Sequence, residues 1–169
     1  MSSLEPPDST HLNAAQGWLA LGNLIEAGEE LAKISGGNHA HPEVLQVRWR
    51  VCAKAGQWEA GLEIATNLTR LNPDQLFGWL FRAFSLRKLD RAAEAKDLLV
   101  SVVDRFGANA TVPYYVACYC ARLGQLNEAK GWITLALAHA TTDAERDRIK
   151  QRAQAEPDLE PIRSSLGEL

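Results

Sequence analysis

The sequence predicts an all-α protein assembled from repeated helix pairs, and three observations carry that expectation. The chain matches itself at a shift of 34 residues, with Gly22, Gly56, Asp90 and Gly124 in one column. Apolar residues recur at the three- and four-residue spacing of a helix face, as in Leu76, Trp79, Leu80, Ala83 and Leu86. No segment with the period-2 alternation of a half-buried strand competes with them.

The other columns place the elements. Upstream of the glycine run Ala15, Trp49, Ala83 and Ala117, then Trp18, Cys52, Leu86 and Cys120; directly before it stand Leu21, Ala55, Leu89 and Leu123. Downstream come Leu24, Trp58, Ala92 and Leu126, then Ala27, Gly61, Ala95 and Ala129. Leu31, Ala65, Leu99, Ile133 and Ile34, Leu68, Val102, Ala136 complete the set, all in register over four units without insertion or deletion. Each unit therefore reads as a first helix, a turn at the glycine column and a second helix. Glycine suits the left-handed backbone that closes a helix, and Asp90 tolerates it better than most residues. The alanine columns let paired helices approach closely, although Trp49 breaks the small-residue pattern and predicts wider packing in the second unit. Pro42 and Pro73 mark the first turns of new first helices, where a missing N–H leaves no partner unpaired. Thr142 and Glu145 form a capping box opening a charged last helix, followed by an acidic and apolar tail around Asp158, Leu159, Glu160 and Ile162. A polar terminal helix is what an open stack of repeats needs at its end.

A 34-residue helix–turn–helix period resembles the tetratricopeptide repeat of bacterial proteins, over about residues 9–141. Ala117, Gly124, Leu126 and Ala129 follow the family pattern most closely, whereas the first unit lacks the expected exit proline until Pro42. The resemblance implies a right-handed α-α superhelix of four helix pairs (9–141), preceded by a disordered segment (1–8) and followed by a capping helix and tail (142–169). It also implies a binding function, because the first helices of such repeats line a concave face that holds protein segments.

Composition narrows the function classes. Hydrophobic residues make up 46% of the 169, as in a globular protein, and the net charge of −3 offers no bulk attraction to a nucleic-acid backbone. The N-terminal residues Met1 to Asp8 carry neither a basic region nor an apolar stretch, so no signal peptide is expected. No apolar run approaches the roughly 18 residues of a spanning helix, so no membrane role is expected. Three cysteines fit reduced thiols in a cytoplasm better than a disulfide framework. There is no phosphate loop, nucleophile elbow or His-Glu-x-x-His motif, so no enzyme, cofactor or metal is expected. Cys52 and Cys120 share a column facing the partner helix and should be small core residues. Cys118, two residues from Cys120, faces another side and should be the most reachable thiol.

The candidate site is the groove. The family resemblance assigns its wall to Leu12, Gln16 and Leu19, then Gln46, Arg50 and Ala53, then Phe77, Leu80, Phe84 and Arg87, then Tyr114, Cys118 and Ala121, with Lys54 and Arg122 counted in the site at its rim. Relatives that grip acidic chaperone C-termini use lysine and asparagine here. Leu12, Gln16, Val47, Phe77 and Phe81 stand in their place, so that clamp is absent. Instead, the Leu76 to Lys88 helix is apolar nearly all round, so it must be buried on two sides or bind something. Arg50, Lys54, Arg87, Lys88 and Arg122 rim that stripe. An aromatic centre with a basic rim suits an acidic protein segment with apolar anchors, making the chain an adaptor or chaperone-like module. The alternatives are that Phe81 and Tyr115 only pack neighbouring helices, that the chain's own tail fills the groove, that two copies pair as a homodimer, or that the chain chaperones secreted substrates.

Overall fold

The computed structural model of the chain describes residues 3–107 and 109–166, which fold into helices and turns with no strand among the described residues. They form two compact units, Met1–Leu89 and Asp90–Leu169. The first holds α1 (Asp8–Ala20), α2 (Leu24–Lys33), α3 (Pro42–Ala55), α4 (Trp58–Leu71) and α5 (Leu76–Lys88). The second holds α6 (Ala92–Val100), α7 (Thr111–Arg122), α8 (Leu126–Ala138), α9 (Asp143–Ala155), a 3-10 segment Pro157–Ile162 and the short α10 (Arg163–Leu166).

The glycine column adopts the left-handed backbone expected of it. Gly22, Gly56 and Gly124 have φ of 80°, 72° and 76°, and Asp90 follows at 60°, alone in this among the described non-glycine residues. Each glycine closes its helix the same way. The N–H of the following residue reaches back to the carbonyl five residues earlier, in the pairs Asn23–Trp18, Gln57–Cys52 and Gln125–Cys120, all at 2.9 Å. Without a Cβ, glycine makes that reversal at no steric cost.

Small residues then bring consecutive helices together, α1 against α2 and α3 against α4 in the first unit, α7 against α8 in the second. Ala15, Ala27, Ala65, Ala83, Ala95, Ala117 and Ala129 are fully buried. Around Ala15 and Ala27 the first core gathers Leu12, Leu19, Leu31, Ile34, Val44 and Val47. Trp49, whose size predicts wider packing, is buried in the second pair. Its partner column carries Gly61, whose missing Cβ would lie 3.4 Å from both the indole nitrogen and Ser85 Oγ. The indole fills the space an alanine would occupy, donates its N–H to Ser85 Oγ at 3.0 Å and stacks face to face on Phe81 at 3.9 Å. The absent side chain at Gly61 gives the indole part of the room that its greater size needs.

Four expectations change. Trp18 is 37% exposed although its column was expected in the core. Pro73 lies ahead of α5 instead of in its first turn, and its carbonyl accepts the Trp79 indole N–H at 2.9 Å. The 1–8 segment is not free along its length: Leu4 packs on the first core, and Asp8 opens α1 with its carboxylate buried. Met1 and Ser2 lie outside the described residues. The Thr142 hydroxyl accepts from the Glu145 N–H at 3.1 Å as expected, but the Glu145 carboxylate returns to the N–H of Thr141 at 2.8 Å, one residue further out than a capping box.

Asp8 ties the start of α1 to the loop that follows α2. Its carboxylate accepts from the Ser35 N–H at 3.0 Å, from the Ser35 hydroxyl and from the Asn38 amide at 2.7 Å. Those hydrogen bonds, the Ser35 hydroxyl foremost, hold its pKa at about 2, below the ordinary 3.8. A depressed carboxylate stabilises the fold above its unfolded pKa, and that stability fades as pH falls toward the folded one. The melting temperature should therefore drop between pH 4 and 2, and Asp8→Asn should flatten that part of the profile while lowering stability at neutral pH. In the core, Trp49→Ala should cost about 3–5 kcal/mol by opening a cavity. Trp18→Ala should cost clearly less, since that residue is 37% exposed against 8% for Trp49. Chemical denaturation of the two variants provides the comparison.

Candidate functional site

In the first unit the C-terminal halves of α1, α3 and α5 face a common groove of about 650 Å³. Gln16, Leu19 and Ala20 contribute from α1, Trp49, Arg50, Ala53 and Lys54 from α3, Trp58 from the start of α4, and Phe84 and Lys88 from α5. Seven of the sequence-predicted residues, Gln16, Leu19, Arg50, Ala53, Lys54, Phe84 and Lys88, thus come together in one concavity. Its floor is a run of rings. Phe84 meets Trp49 edge-on at 6.0 Å and Trp58 at 5.7 Å, and behind the floor Trp49 stacks on Phe81, itself 6.0 Å from Phe77. Three cations and no carboxylate line the groove. The Lys88 ammonium lies 5.5 Å from the centres of both the Trp58 and Phe84 rings, a cation–π arrangement that holds charge over an apolar surface. Lys54 donates to the Leu19 carbonyl at 2.9 Å, which fixes its stem beside α1.

The other predicted residues of this unit lie elsewhere. Leu12 is buried in the first core and cannot reach a ligand without unfolding α1. Gln46, Phe77, Leu80 and Arg87 are half-buried and outside the groove lining. Phe81 packs on Trp49, the plain helix-packing role. Trp49 and Trp58, which periodicity assigns to helix packing, turn out to share their rings between core and groove. Their size in columns otherwise held by alanine or leucine is the only signal the sequence offered.

The second unit has no matching open face on α7. The 3-10 segment Pro157–Ile162 packs along that helix, burying Leu159 and Ile162 almost completely. Asp158 joins Arg122 at 3.5 Å, and Arg122 also holds Asp90 at 2.8 Å. From α9 the Arg152 guanidinium stacks over the Tyr114 and Tyr115 rings at 4.5 and 4.8 Å and donates to the Tyr115 hydroxyl. Tyr114, Cys118 and Ala121, expected on an open wall, are therefore buried, and burial pushes the Tyr114 phenol far above its ordinary pKa. The tail occupies the α7 face. Among the described residues no cluster of histidine, cysteine and carboxylates has the makings of a metal site, and no helix is long and apolar enough to cross a membrane.

No protein-family model matches the chain, and no curated protein matches it. Solved structures of MamA, a tetratricopeptide-like helical repeat protein, resemble it. MamA 41-end from Desulfovibrio magneticus RS-1 superposes with a TM-score of 0.73 at 18% identity, covering 98% of this chain and 92% of that one. The MamA RS-1 ArsTM double mutant gives the same values. MamA MSR-1 C2 gives 0.64 at 16% identity, covering 97% of each chain. At such identities the likeness establishes the fold, an all-helical arrangement of packed helix pairs.

The thiols change order relative to the sequence expectation. Cys118 and Cys120 are buried, and burial lifts the Cys120 pKa to about 11. Cys52 instead is half-buried and borders a shallow depression of about 340 Å³ beside the small residues Gly28 and Ala32, and partial burial raises its pKa. Cys52 should be the first of the three to react with a neutral-pH thiol reagent in the native protein, and mass spectrometry of the labelled peptides reads the order.

Proposed function

We propose that the protein is a cytoplasmic, non-enzymatic binding module, an adaptor or chaperone-like protein of four tetratricopeptide-type units. It holds an acidic protein segment with apolar anchors in the groove of its first unit. The observation that carries this reading is the groove's composition, an aromatic floor of Trp49, Trp58 and Phe84 edged by Arg50, Lys54 and Lys88 with no acidic residue among them. Aromatic side chains held rigid by their neighbours supply contact area with little ordering cost, and surrounding cations select the sign of the partner. The tetratricopeptide-like fold of the solved neighbours supports a repeat protein that works by binding, and function remains a property of the site.

Self-pairing is a second reading, favoured by one observation. Leu21 and Ile25, 78% and 75% exposed, lie beside Trp18 at the turn between α1 and α2, an apolar surface that a second copy would cover. The two readings separate experimentally. Phe84→Ala combined with Lys88→Glu should abolish partner capture from native extract while leaving helix content and mass by light scattering unchanged. A dimer that Leu21→Asp dissolves, together with capture indifferent to the groove variants, would replace the binding reading with the pairing one.

A further inference from the structure

The repeat register connects the occupied face of the second unit with the groove of the first. Arg122 stands 34 residues after Lys88 and 68 after Lys54, so these three cations hold one position on consecutive first helices. Cys118 shares its position with Phe84 and Arg50 in the same way. On α7 that cation holds Asp158, and the aliphatic residues next to the aspartate, Leu159 and Ile162, are buried by the 3-10 turn that carries them. One face built by this register therefore accepts an Asp-Leu-x-x-Ile turn within the chain itself.

Resting on the binding reading above, we infer that the groove of the first unit selects a partner segment of that kind: a short turn carrying an aspartate or glutamate followed directly by a large aliphatic residue. The carboxylate takes its place between Lys54 and Lys88, and the aliphatic side chain rests on Phe84 and Trp58. Charge complementarity supports this occupant, since the lining has three cations and no carboxylate to compete for them. The chemistry of the floor supports it too. The Lys88 ammonium already lies over both rings, so a carboxylate that meets it is placed against an apolar surface where the next side chain lands. A charged hydrogen bond at the edge of an apolar floor is stronger than one in open water. A second copy of the chain is a poor source for the segment, because its own Leu159 and Ile162 are already buried against its own α7.

The test uses the full chain and a fluorescent peptide with the sequence of Glu156–Arg163, read by anisotropy. Saturable binding is expected, weakened about tenfold or more by Lys54→Glu with Lys88→Glu, and by Asp158→Asn or Leu159→Ala within the peptide. Both lysines are exposed, so the double variant should keep its helix content by circular dichroism. Binding lost in Arg122→Glu but indifferent to the lysine pair would mean exchange with the chain's own tail, and would overturn the inference. Absence of binding would overturn it as well. A random peptide library panned on the same chain then separates the two levels. Phe84- and Lys88-dependent peptides without an acidic-aliphatic pair leave the groove as a binding site and remove only its specificity, whereas no groove-dependent peptide removes both.

Discussion

The close approach of paired helices at the small-residue columns is the constraint from which the rest of this structure follows. Ala15 against the Ala27 side of α2, and Ala117 against the Ala129 side of α8, leave no room for a longer side chain. At such contacts the backbones themselves set the distance, so the layout of each pair follows from the alanines and the glycine turn between the helices. An added methylene there has nowhere to go in an interior packed to crystal density.

The second pair departs from that rule, and its departure builds the groove. Trp49 replaces the alanine, Gly61 opposite gives up its side chain, and Ser85 on α5 accepts the indole proton. The indole then bridges α3 and α5 through its stack on Phe81, with its other edge toward Phe84. A single substitution pattern thus serves two ends. It anchors three helices to one another, and it leaves an aromatic surface facing the concavity. A ring immobilised by a stack and a hydrogen bond is a better anchor for a ligand than a free one, because little rotamer freedom is left to lose on binding.

The second unit shows what the same register does when its face is filled. Arg122 links Asp90 at the head of α6 to Asp158 in the tail, while Arg152 covers the tyrosines. Each cation there has a carboxylate or a ring against it, and the aliphatic residues of the tail complete the burial of α7. Asp90 contributes twice, since its backbone takes the left-handed turn and its side chain meets Arg122.

The sequence by itself determined the helices and the glycine turns between them, though not every helix start, since Pro73 falls ahead of α5. These rest on interactions within about one helical turn, such as the apolar period, the glycine at the left-handed position and the Thr142 cap, and such signals are written locally. It also determined the cations at Lys54, Lys88 and Arg122, because a fixed period places side chains on a face wherever the helix goes. Only the tertiary structure decided which faces stay open. Tyr114 and Cys118 are buried because a segment some 40 residues later lies across them, and Cys52 borders a depression beside Gly28 and Ala32. Trp49 belongs to both core and groove because Gly61 makes room for it. Exposure is a relation between remote segments, and no periodicity within one helix encodes which segment will arrive.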